Sequence, residues 1–257
     1  MGRGAGGRGV TGSFRESELS RYDRQILLFG EEGQERLKAA KIFIAGAGGL
    51  GCPVALYLAA AGVGEIRLAD CDAVDRTNLN RQVLHWEKDL GRRKTDSAAE
   101  KLRLLNPDVR VTDLPATINE ANAAALVGDA DLIIDALDNF ETRYLLNRVA
   151  LAKGIPFIHG AIRGFDGQAT TIIPGKTACL RCIFPRAPPA EVFPAVGVTA
   201  GIIGMIQANE AIKFLLGMDG LLAGRLLIWS GATTEMESLP VERHPDCQDC
   251  GAARRER

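Results

Sequence analysis

The chain of 257 residues is 46% hydrophobic and 25% charged, a composition that allows a hydrophobic core and excludes a fibrous protein or a wholly disordered tail. Its 31 basic and 32 acidic residues leave a net charge of -1, so no overall field draws the protein to nucleic acid or to an anionic membrane. We therefore expect neither nucleic acid nor a membrane among its partners.

The N-terminus is rich in glycine and lacks the apolar stretch of a signal peptide, which predicts a flexible tail over residues 1–15 and a cytoplasmic protein. Residues 253–257 are predicted to form a C-terminal tail, and residues 16–252 a single domain. The longest apolar segment, 198–217, is interrupted by glutamine, asparagine, glutamate and lysine. Because a bilayer core penalises such side chains, this segment is predicted to be a buried helix.

From residue 41 onward, short apolar runs alternate with helical segments, the pattern of a parallel sheet whose strands are connected by helices. The predicted strands of this region are 41–45, 65–69, 109–114, 131–135 and 155–158. The predicted helices between them are 53–61, 95–105, 121–127 and 141–153. Two later strands, 168–173 and 225–229, lack this spacing and predict an antiparallel extension. The predicted fold is therefore α/β, Rossmann-like and doubly wound, with a mainly parallel sheet and an antiparallel C-terminal part.

A Gly-x-Gly-x-x-Gly sequence that contains Gly46, Gly48 and Gly49 follows the first predicted strand and opens the first helix. Backbone amides at the positive end of a helix can approach a phosphate closely, so this loop predicts a nucleotide site. Tight packing of a strand on a helix is the alternative explanation for such glycines. Asp70 ends the second predicted strand, where its carboxylate would bind ribose hydroxyls. That position fits NAD and ATP equally well.

Charged residues near the glycine loop separate these two cofactors. Substitution at a triphosphate needs cations and a metal ion, whereas hydride transfer needs a positioned nicotinamide. Arg24, Arg81 and Lys94 are the candidate cations. Asp138 follows the strand 131–135, so it would reach the carboxyl edge of the sheet and could hold Mg²⁺. Taken singly, such basic residues are usually solvated, and aspartates after strands usually form turns.

Two Cys-x-x-Cys pairs, separated by 64 residues, comprise Cys179, Cys182, Cys247 and Cys250. Four thiolates fill a tetrahedral shell with no open position, which predicts a structural zinc site; disulfides are the alternative in a less reducing compartment. Cys52 and Cys71 are expected to be buried, inert thiols. The histidines His85, His159 and His244 have no metal-binding spacing, and we assign them no chemistry.

Several motifs together resemble the ThiF/MoeB/HesA family, relatives of the adenylation domain of ubiquitin-activating enzymes. The matching stretches lie at 21–26, 46–51, 60–64, 70–72, 78–82, 91–94 and 135–139, and at both Cys-x-x-Cys pairs. The resemblance covers about residues 21–251. It implies that ATP and Mg²⁺ are used to adenylylate the C-terminal carboxylate of a small ubiquitin-like sulfur carrier ending in Gly-Gly, with release of pyrophosphate. Such a step belongs to the biosynthesis of sulfur-containing cofactors of the molybdopterin or thiamine type.

The resemblance also implies a role for each matching residue. The loop of Gly46, Gly48 and Gly49 would approach the phosphates, and Asp70 the ribose. The polyphosphate would be bound by Asn78, Arg81 and Lys94, and Mg²⁺ by Asp138 with Asn139 beside it. Arg24 corresponds to an arginine that reaches the nucleotide of the neighbouring subunit, which implies a homodimer.

One departure from the family concerns the loop after the first Cys-x-x-Cys pair. Some members carry a cysteine there that bonds covalently to the carrier, but the segment 191–197 has none, and no rhodanese-like part follows residue 251. We therefore expect activation only, with the adenylated carrier passed to a separate sulfur donor. The proline-rich loop 184–198 is expected to be mobile and to cover the tail of the carrier.

Three other functions compete with this interpretation. An NAD-dependent oxidoreductase would explain the glycine loop and Asp70, but not the cations together with Asp138. A non-catalytic, zinc-stabilised scaffold would not need those charged residues. Adenylylation of a different carboxylate, in a peptide or a tRNA-bound group, would keep the chemistry and change the acceptor; the absence of excess basic charge argues against RNA.

Overall fold

The computed structural model describes residues 14–189 and 193–251. The predicted tails therefore lie almost entirely outside the described residues, as do residues 190–192 of the proline-rich loop. In the described part of the chain, no helix has the length and apolar character that crossing a membrane requires.

Eight strands of the described residues form one sheet, in the order β3-β2-β1-β4-β5-β6-β7-β8. The strands are β1 (Lys41–Ala45), β2 (Glu65–Ala69), β3 (Arg110–Leu114), β4 (Leu132–Asp135), β5 (Phe157–Arg163), β6 (Asp166–Ile172), β7 (Arg225–Ser230) and β8 (Glu235–Pro240). The pairs among β1 to β5 are parallel, and β6, β7 and β8 continue the sheet antiparallel. The predicted α/β architecture with an antiparallel C-terminal extension is confirmed.

The helices connect these strands and cover both faces of the sheet. They are α1 (Glu16–Arg21), α2 (Asp23–Ala39), α3 (Gly51–Ala61), α4 (Lys94–Leu105), α5 (Ala123–Val127), α6 (Phe140–Lys153), α7 (Leu180–Ile183) and α8 (Gly197–Leu216). Two short 3-10 turns, Arg76–Asn78 and Glu87–Asp89, lie between β2 and α4. Helices α1, α2 and α7 and strand β8 were not predicted from the sequence. Every residue of β8 is exposed, so β8 lacks the alternation that identifies a half-buried strand.

Two hydrophobic clusters lie on opposite faces of the sheet. Alternate residues of β1 divide between them: Ile42 and Ile44 pack with α3, α4 and α8, whereas Phe43 and Ala45 pack with α5, α6 and α7. Because both faces are covered, β1 and β4 are apolar along most of their length rather than alternating. All but the last residue of the predicted segment 198–217 lies in α8, which packs against α3.

The strand order reverses beside β1, and this reversal positions the site. The chain builds β1, β2 and β3 outward on one side and then returns to place β4 on the other side of β1. Ala45, the last residue of β1, is in register with both Ala69 and Asp135, the last residues of β2 and β4. In open α/β sheets, ligands bind in the crevice at the carboxyl ends of such strands.

Candidate active site

A cavity of about 730 Å³ opens at these carboxyl ends, within the size range of small-molecule sites. Eight of the predicted site residues line it: Gly46, Gly48, Gly49, Asp70, Arg81, Lys94, Asp138 and Asn139. They come from three connections of the chain, β1 to α3, β2 to α4 and β4 to α6, with Lys94 as the first residue of α4. The parallel topology therefore brings together the chemistry that the sequence distributes over about 90 residues.

The glycine loop lies between β1 and α3 and depends on the small size of its residues. Gly46 has φ +102°, and a Cβ atom added there would lie 2.5 Å from the Ala136 carbonyl oxygen. A Cβ atom on Gly51 would lie 1.8 Å from the Gly46 carbonyl oxygen. A larger residue at position 46 would push the loop away from the segment that follows β4, and one at position 51 would collide with the backbone of the loop itself. The loop opens directly into the N-terminus of α3, where backbone amides favour an anion.

Asp70 follows β2 and is held by backbone donors. Its two carboxylate oxygens accept hydrogen bonds from the Ala47 and Asp72 amides, each at 2.8 Å. These bonds orient the carboxylate beside the glycine loop, at the position where an acidic side chain binds ribose hydroxyls in dinucleotide folds.

Two basic side chains, those of Arg81 and Lys94, line the cavity. Lys94 is buried, and its Nζ donates to Asp72 at 2.8 Å, a contact that lowers the pKa of Asp72. The Arg81 guanidinium donates to the Thr77 carbonyl at 2.9 Å, and its aliphatic part lies against Gly49. Both cations are thus kept near the loop by contacts within the chain.

Asp138 and Asn139 complete the cavity beyond β4. Asp138 is exposed, whereas the Asn139 side chain accepts a hydrogen bond from the Thr142 amide at 2.9 Å and caps α6. Beneath them, the buried Asp135 accepts from His159 Nδ1 at 2.6 Å and forms an ion pair with Arg143 at 3.3 Å. Burial acts to raise the pKa of Asp135, but the Arg143 charge and the His159 bond outweigh it and lower that pKa.

Among the described residues, two of those predicted for the nucleotide site do not line the cavity. The Arg24 side chain is 91% exposed on α2, 4.0 Å from Asp23. Asn78 is half-buried in a 3-10 turn next to Thr77, which does line the cavity. The expectation that Cys71 is buried is wrong: Cys71 is exposed and lines the cavity, because it lies beyond the covered part of β2. Cys52 is buried as expected, and burial raises the pKa of its thiol to about 12.

The four paired cysteines form one cluster next to α6. The Sγ atoms of Cys179, Cys182, Cys247 and Cys250 all lie within 4.8 Å of one another. The Cys182–Cys250 and Cys179–Cys247 sulfur distances are 3.4 and 3.6 Å, far above the about 2.05 Å of a disulfide. Tetrahedral zinc with bonds of about 2.3 Å would separate its sulfur ligands by about 3.8 Å. The cluster therefore has the dimensions of a zinc site.

The donor set of this cluster also suits a cation. Burial raises the pKa of the Cys179 thiol, and the neighbouring Cys250 and Cys182 sulfurs raise it further, so thiolates need a positive partner there. The His244 amide donates to the Cys182 sulfur at 3.4 Å. The cluster links the C-terminal segment to α7, across the 64 residues between the pairs.

The proline-rich loop contributes to the wall of the cavity. Phe193 and Ala195 line it, and the Pro194 carbonyl accepts a hydrogen bond from the Gly164 amide at 2.7 Å. The loop therefore forms part of the cavity wall, while its mobility and its covering of the carrier's tail stay predictions.

Comparison with known proteins assigns the family. The family model described as the ThiF family matches residues 22–249. The chain belongs to the ThiF family. It is 45% identical over 250 residues to the SAMP-activating enzyme E1 of Haloferax volcanii, covering 94% of this chain and 92% of that protein. It is 43% identical over 249 residues to the sulfur carrier protein adenylyltransferase of Thermus thermophilus, covering 92% of each.

Other relatives of this ThiF-family chain extend the comparison. It is 41% identical to the adenylyltransferase and sulfurtransferase MOCS3 of Culex quinquefasciatus, covering 91% of this chain and 56% of that protein. The crystal structure of E. coli MccB with MccA-N7isoASN has a TM-score of 0.82 and 26% identity, covering 91% of this chain and 74% of that one. MccB with ATP gives a TM-score of 0.79 and 28% identity over 90% of this chain and 74% of that one. The expected family is therefore confirmed.

Two residues that line the cavity of this ThiF-family chain were not predicted from the sequence. Arg143 lines the cavity and pairs with Asp135; its position on the first turn of α6, just after Asn139, was the available signal. Gln82 is 5% exposed and lines the cavity, and its Oε1 has no hydrogen-bond partner among the described residues. His159, to which the sequence analysis assigned no chemistry, orients Asp135.

A buried ion pair supports the segment between Arg81 and Lys94. Asp89 is fully buried and accepts hydrogen bonds from Lys101 and, at 2.9 Å, from the Trp86 amide. Burial acts to raise the pKa of Asp89, but these bonds outweigh it and lower that pKa to about 2. An unfolded aspartate has a pKa of about 3.9, so this interaction stabilises the fold above about pH 4.

Asp89→Asn is expected to lower the melting temperature at pH 7. The difference from the wild type should shrink as the pH falls from about 5 towards 2, because protonation removes the same charge from the wild type. Thermal unfolding followed by circular dichroism at several pH values measures this. A difference of equal size at pH 7 and about pH 3 would contradict the assignment.

Proposed function

We propose that this chain adenylylates the C-terminal carboxylate of a small ubiquitin-like sulfur carrier that ends in Gly-Gly, using ATP and Mg²⁺ and releasing pyrophosphate. The observation that carries the proposal is the convergence of the glycine loop, Asp70, Arg81, Lys94 and Asp138 on one cavity at the strand reversal. Relatives named as sulfur carrier protein adenylyltransferase and SAMP-activating enzyme support it.

The reaction suits a site that has cations but needs no general base. A C-terminal carboxylate has a pKa of about 3.5, so it is ionised at neutral pH. One of its oxygens attacks the α-phosphorus of ATP, the bond from that phosphorus to the bridging oxygen breaks, and pyrophosphate leaves with the electron pair. Two anions must meet in this step, and charge then develops on the leaving group.

Each side chain has a role that follows from its position. Arg81 and Lys94 would hold the polyphosphate and offset the developing charge, with Lys94 exchanging Asp72 for a phosphate oxygen. Asp70 would bind the ribose. Asp138 would hold Mg²⁺, a hard cation that prefers carboxylate oxygens and that neutralises phosphate charge when bound. The exposed carboxylate of Asp138 beside the cavity fits that requirement.

A direct assay tests this function. Isotopically labelled pyrophosphate should exchange into ATP when the protein, magnesium and a carrier ending in Gly-Gly are all present. The same carrier without its two terminal glycines is the matched control and should give no exchange, and AMP-linked carrier should be visible by mass spectrometry. Absence of exchange with a range of diglycine-ended carriers would overturn the proposal, and binding of NAD in place of ATP would favour an oxidoreductase.

The pathway is proposed to be the biosynthesis of a molybdopterin- or thiamine-type cofactor, and the sulfur donor a separate protein. The full burial of Cys52 and the raised pKa of its thiol support activation without a covalent bond from that residue to the carrier. A reducible covalent adduct between chain and carrier would contradict activation without a covalent bond. Cys71 would then be the first residue to test, because it is exposed in the cavity.

We propose further that two copies of the chain assemble and that Arg24 serves the cavity of its partner. The exposed side chain of Arg24 on α2, away from the cavity of its own chain, supports this. Arg24→Ala and Asp138→Ala chains should each be inactive alone. A co-refolded equal mixture should regain about a quarter of wild-type activity, because half of the dimers then contain one complete site. An inactive mixture that contains mixed dimers would contradict the exchange of Arg24.

The cysteine cluster is proposed to hold a structural zinc ion. The sulfur spacing and the closed set of four thiols support this. The purified protein should contain about one zinc per chain by elemental analysis, and Cys250→Ser should lose the metal and melt at a lower temperature. Cys71→Ser, which removes a thiol outside the cluster, should keep the metal. A wild-type protein that is folded and free of metal would contradict the proposal.

A further inference from the structure

A buried histidine forms a hydrogen bond to the backbone of the glycine loop. His85, which is 3% exposed, places Nε2 at 2.8 Å from the Ala47 carbonyl oxygen. The amide of Ala47 donates on its other side to Asp70 at 2.8 Å. Both polar groups of this one loop residue are therefore bonded, one to the candidate ribose carboxylate and the other to His85. The Cys52 thiol adds a weak contact to the same carbonyl at 3.3 Å.

The partners of His85 determine where its proton lies. A carbonyl oxygen can only accept, so Nε2 must carry a hydrogen and donate to Ala47. On the other side of the ring, Nδ1 lies 2.9 Å from the Ser97 hydroxyl, which in turn accepts from Lys101 at 2.8 Å. Burial lowers the pKa of His85, and Lys101 lowers it further. The ring is therefore neutral, and Nδ1 accepts the Ser97 hydroxyl proton.

The direction of the Ala47 carbonyl has a consequence for the next amide. In a trans peptide, the carbonyl of one residue and the N–H of the next point in opposite directions. Because the Ala47 carbonyl points to the buried His85, the Gly48 N–H points the opposite way, away from the protein interior. Gly48 lines the cavity on that side. Amides presented in this way are the groups that bind phosphate oxygens at a glycine loop.

We propose that His85 is a positioning residue: its Nε2–H holds the Ala47 carbonyl, and it thereby keeps the glycine loop in the conformation that presents its amides to the phosphates of ATP. The inference rests on the proposed function for the identity of the ligand. The bond chain that orients the ring runs from Asp89 through Lys101 and Ser97 to His85, and all four side chains are buried.

Two substitutions of His85, to glutamine and to asparagine, distinguish the roles of the two ring nitrogens. The glutamine amide can reach the place of Nε2, whereas the asparagine amide reaches only that of Nδ1. Each variant keeps one of the two hydrogen bonds, so His85→Gln should retain the Ala47 contact and His85→Asn should lose it. Two readouts apply: hydrogen exchange of the amides of 46–52 in the nucleotide-free protein, and the separate KM for ATP and kcat of the exchange reaction.

We expect His85→Asn to speed amide exchange in the loop by about tenfold or more and to raise the KM for ATP by a similar factor, with a smaller effect on kcat. His85→Gln should remain close to the wild type in both readouts. Equal behaviour of two folded variants would overturn the proposal, since a purely structural role does not distinguish the nitrogens.

If neither His85 variant folds, Ser97→Ala provides a separate test of the proposal. Ser97→Ala leaves the ring in place but removes the donor to Nδ1, so it should speed loop exchange in the same direction and by a smaller factor. Unchanged loop exchange in Ser97→Ala would then contradict the proposal. If the wild-type protein catalyses no ATP:pyrophosphate exchange, the proposed function fails, whereas hydrogen exchange in the nucleotide-free protein still decides the role of His85.

Discussion

Asp138→Asn is expected to lower carrier-dependent ATP:pyrophosphate exchange by about 10²-fold or more, the effect of losing one stabiliser of developing charge. The substitution keeps the size of the side chain and removes the negative charge that would hold Mg²⁺ beside the polyphosphate. The effect should appear in kcat at saturating ATP, because a correctly placed metal matters most as charge moves onto the leaving group. Initial exchange rates of wild type and variant, measured over a range of magnesium concentrations, test this.

The fold should not change in this variant, because the Asp138 side chain is exposed and its contact with Asn139 is a long one of 3.5 Å. Asp219→Asn is the matched control, since Asp219 is also exposed but lies beyond the far end of α8. It should exchange pyrophosphate as the wild type does. A folded Asp138→Asn protein with near-normal exchange would remove Asp138 from the proposed mechanism.

Asp135→Asn is expected to have the largest effect on stability, about 3–5 kcal/mol of the free energy of unfolding, the usual cost of breaking a buried ion pair. Asp135 is fully buried at the end of β4, with Arg143 at 3.3 Å and His159 at 2.6 Å. The substitution leaves the Arg143 guanidinium buried without its counter-charge. Urea unfolding followed by circular dichroism measures the loss, and an unchanged slope with denaturant would show that the denatured state is unaffected.

Asp129→Asn provides the comparison for this loss. Asp129 forms an ion pair with Lys41 on the surface, where solvent screens the charges. The same change of aspartate to asparagine should leave the urea midpoint of this control unchanged within error. If Asp135→Asn is as stable as Asp129→Asn, the Asp135–Arg143 pair does not stabilise the loop that carries Asp138.

Local patterns in the sequence predict the parallel part of the sheet well. Apolar runs such as 41–45 and 131–135 coincide with β1 and nearly with β4, because strands covered on both faces must be apolar throughout. The same patterns explain why the candidate nucleotide residues were found. Gly46, Asp70 and Asp138 each follow a predicted strand, and the carboxyl ends of parallel strands meet at one edge of the sheet.

Elements without such a pattern were not predicted. The edge strand β8 is exposed throughout, so no buried face marks it in the sequence. Helix α2 has few buried residues and is bent at Gly30, which has φ +71°. The exposure of Cys71 could not be predicted for a related reason. The burial of a single residue depends on where the covering helices end and not on the apolar character of the neighbouring strand.

The sequence by itself determined the parallel α/β core, the glycine loop, the four paired cysteines and the charged residues that match the ThiF family. Each of these can be recognised from residues that lie close together along the chain. Only the tertiary structure decided which of those residues share a cavity and what supports them. The bonds from His85 to Ala47 and from Arg143 and His159 to Asp135 join segments with no common periodicity. Such contacts arise from packing, which brings together side chains that the sequence separates.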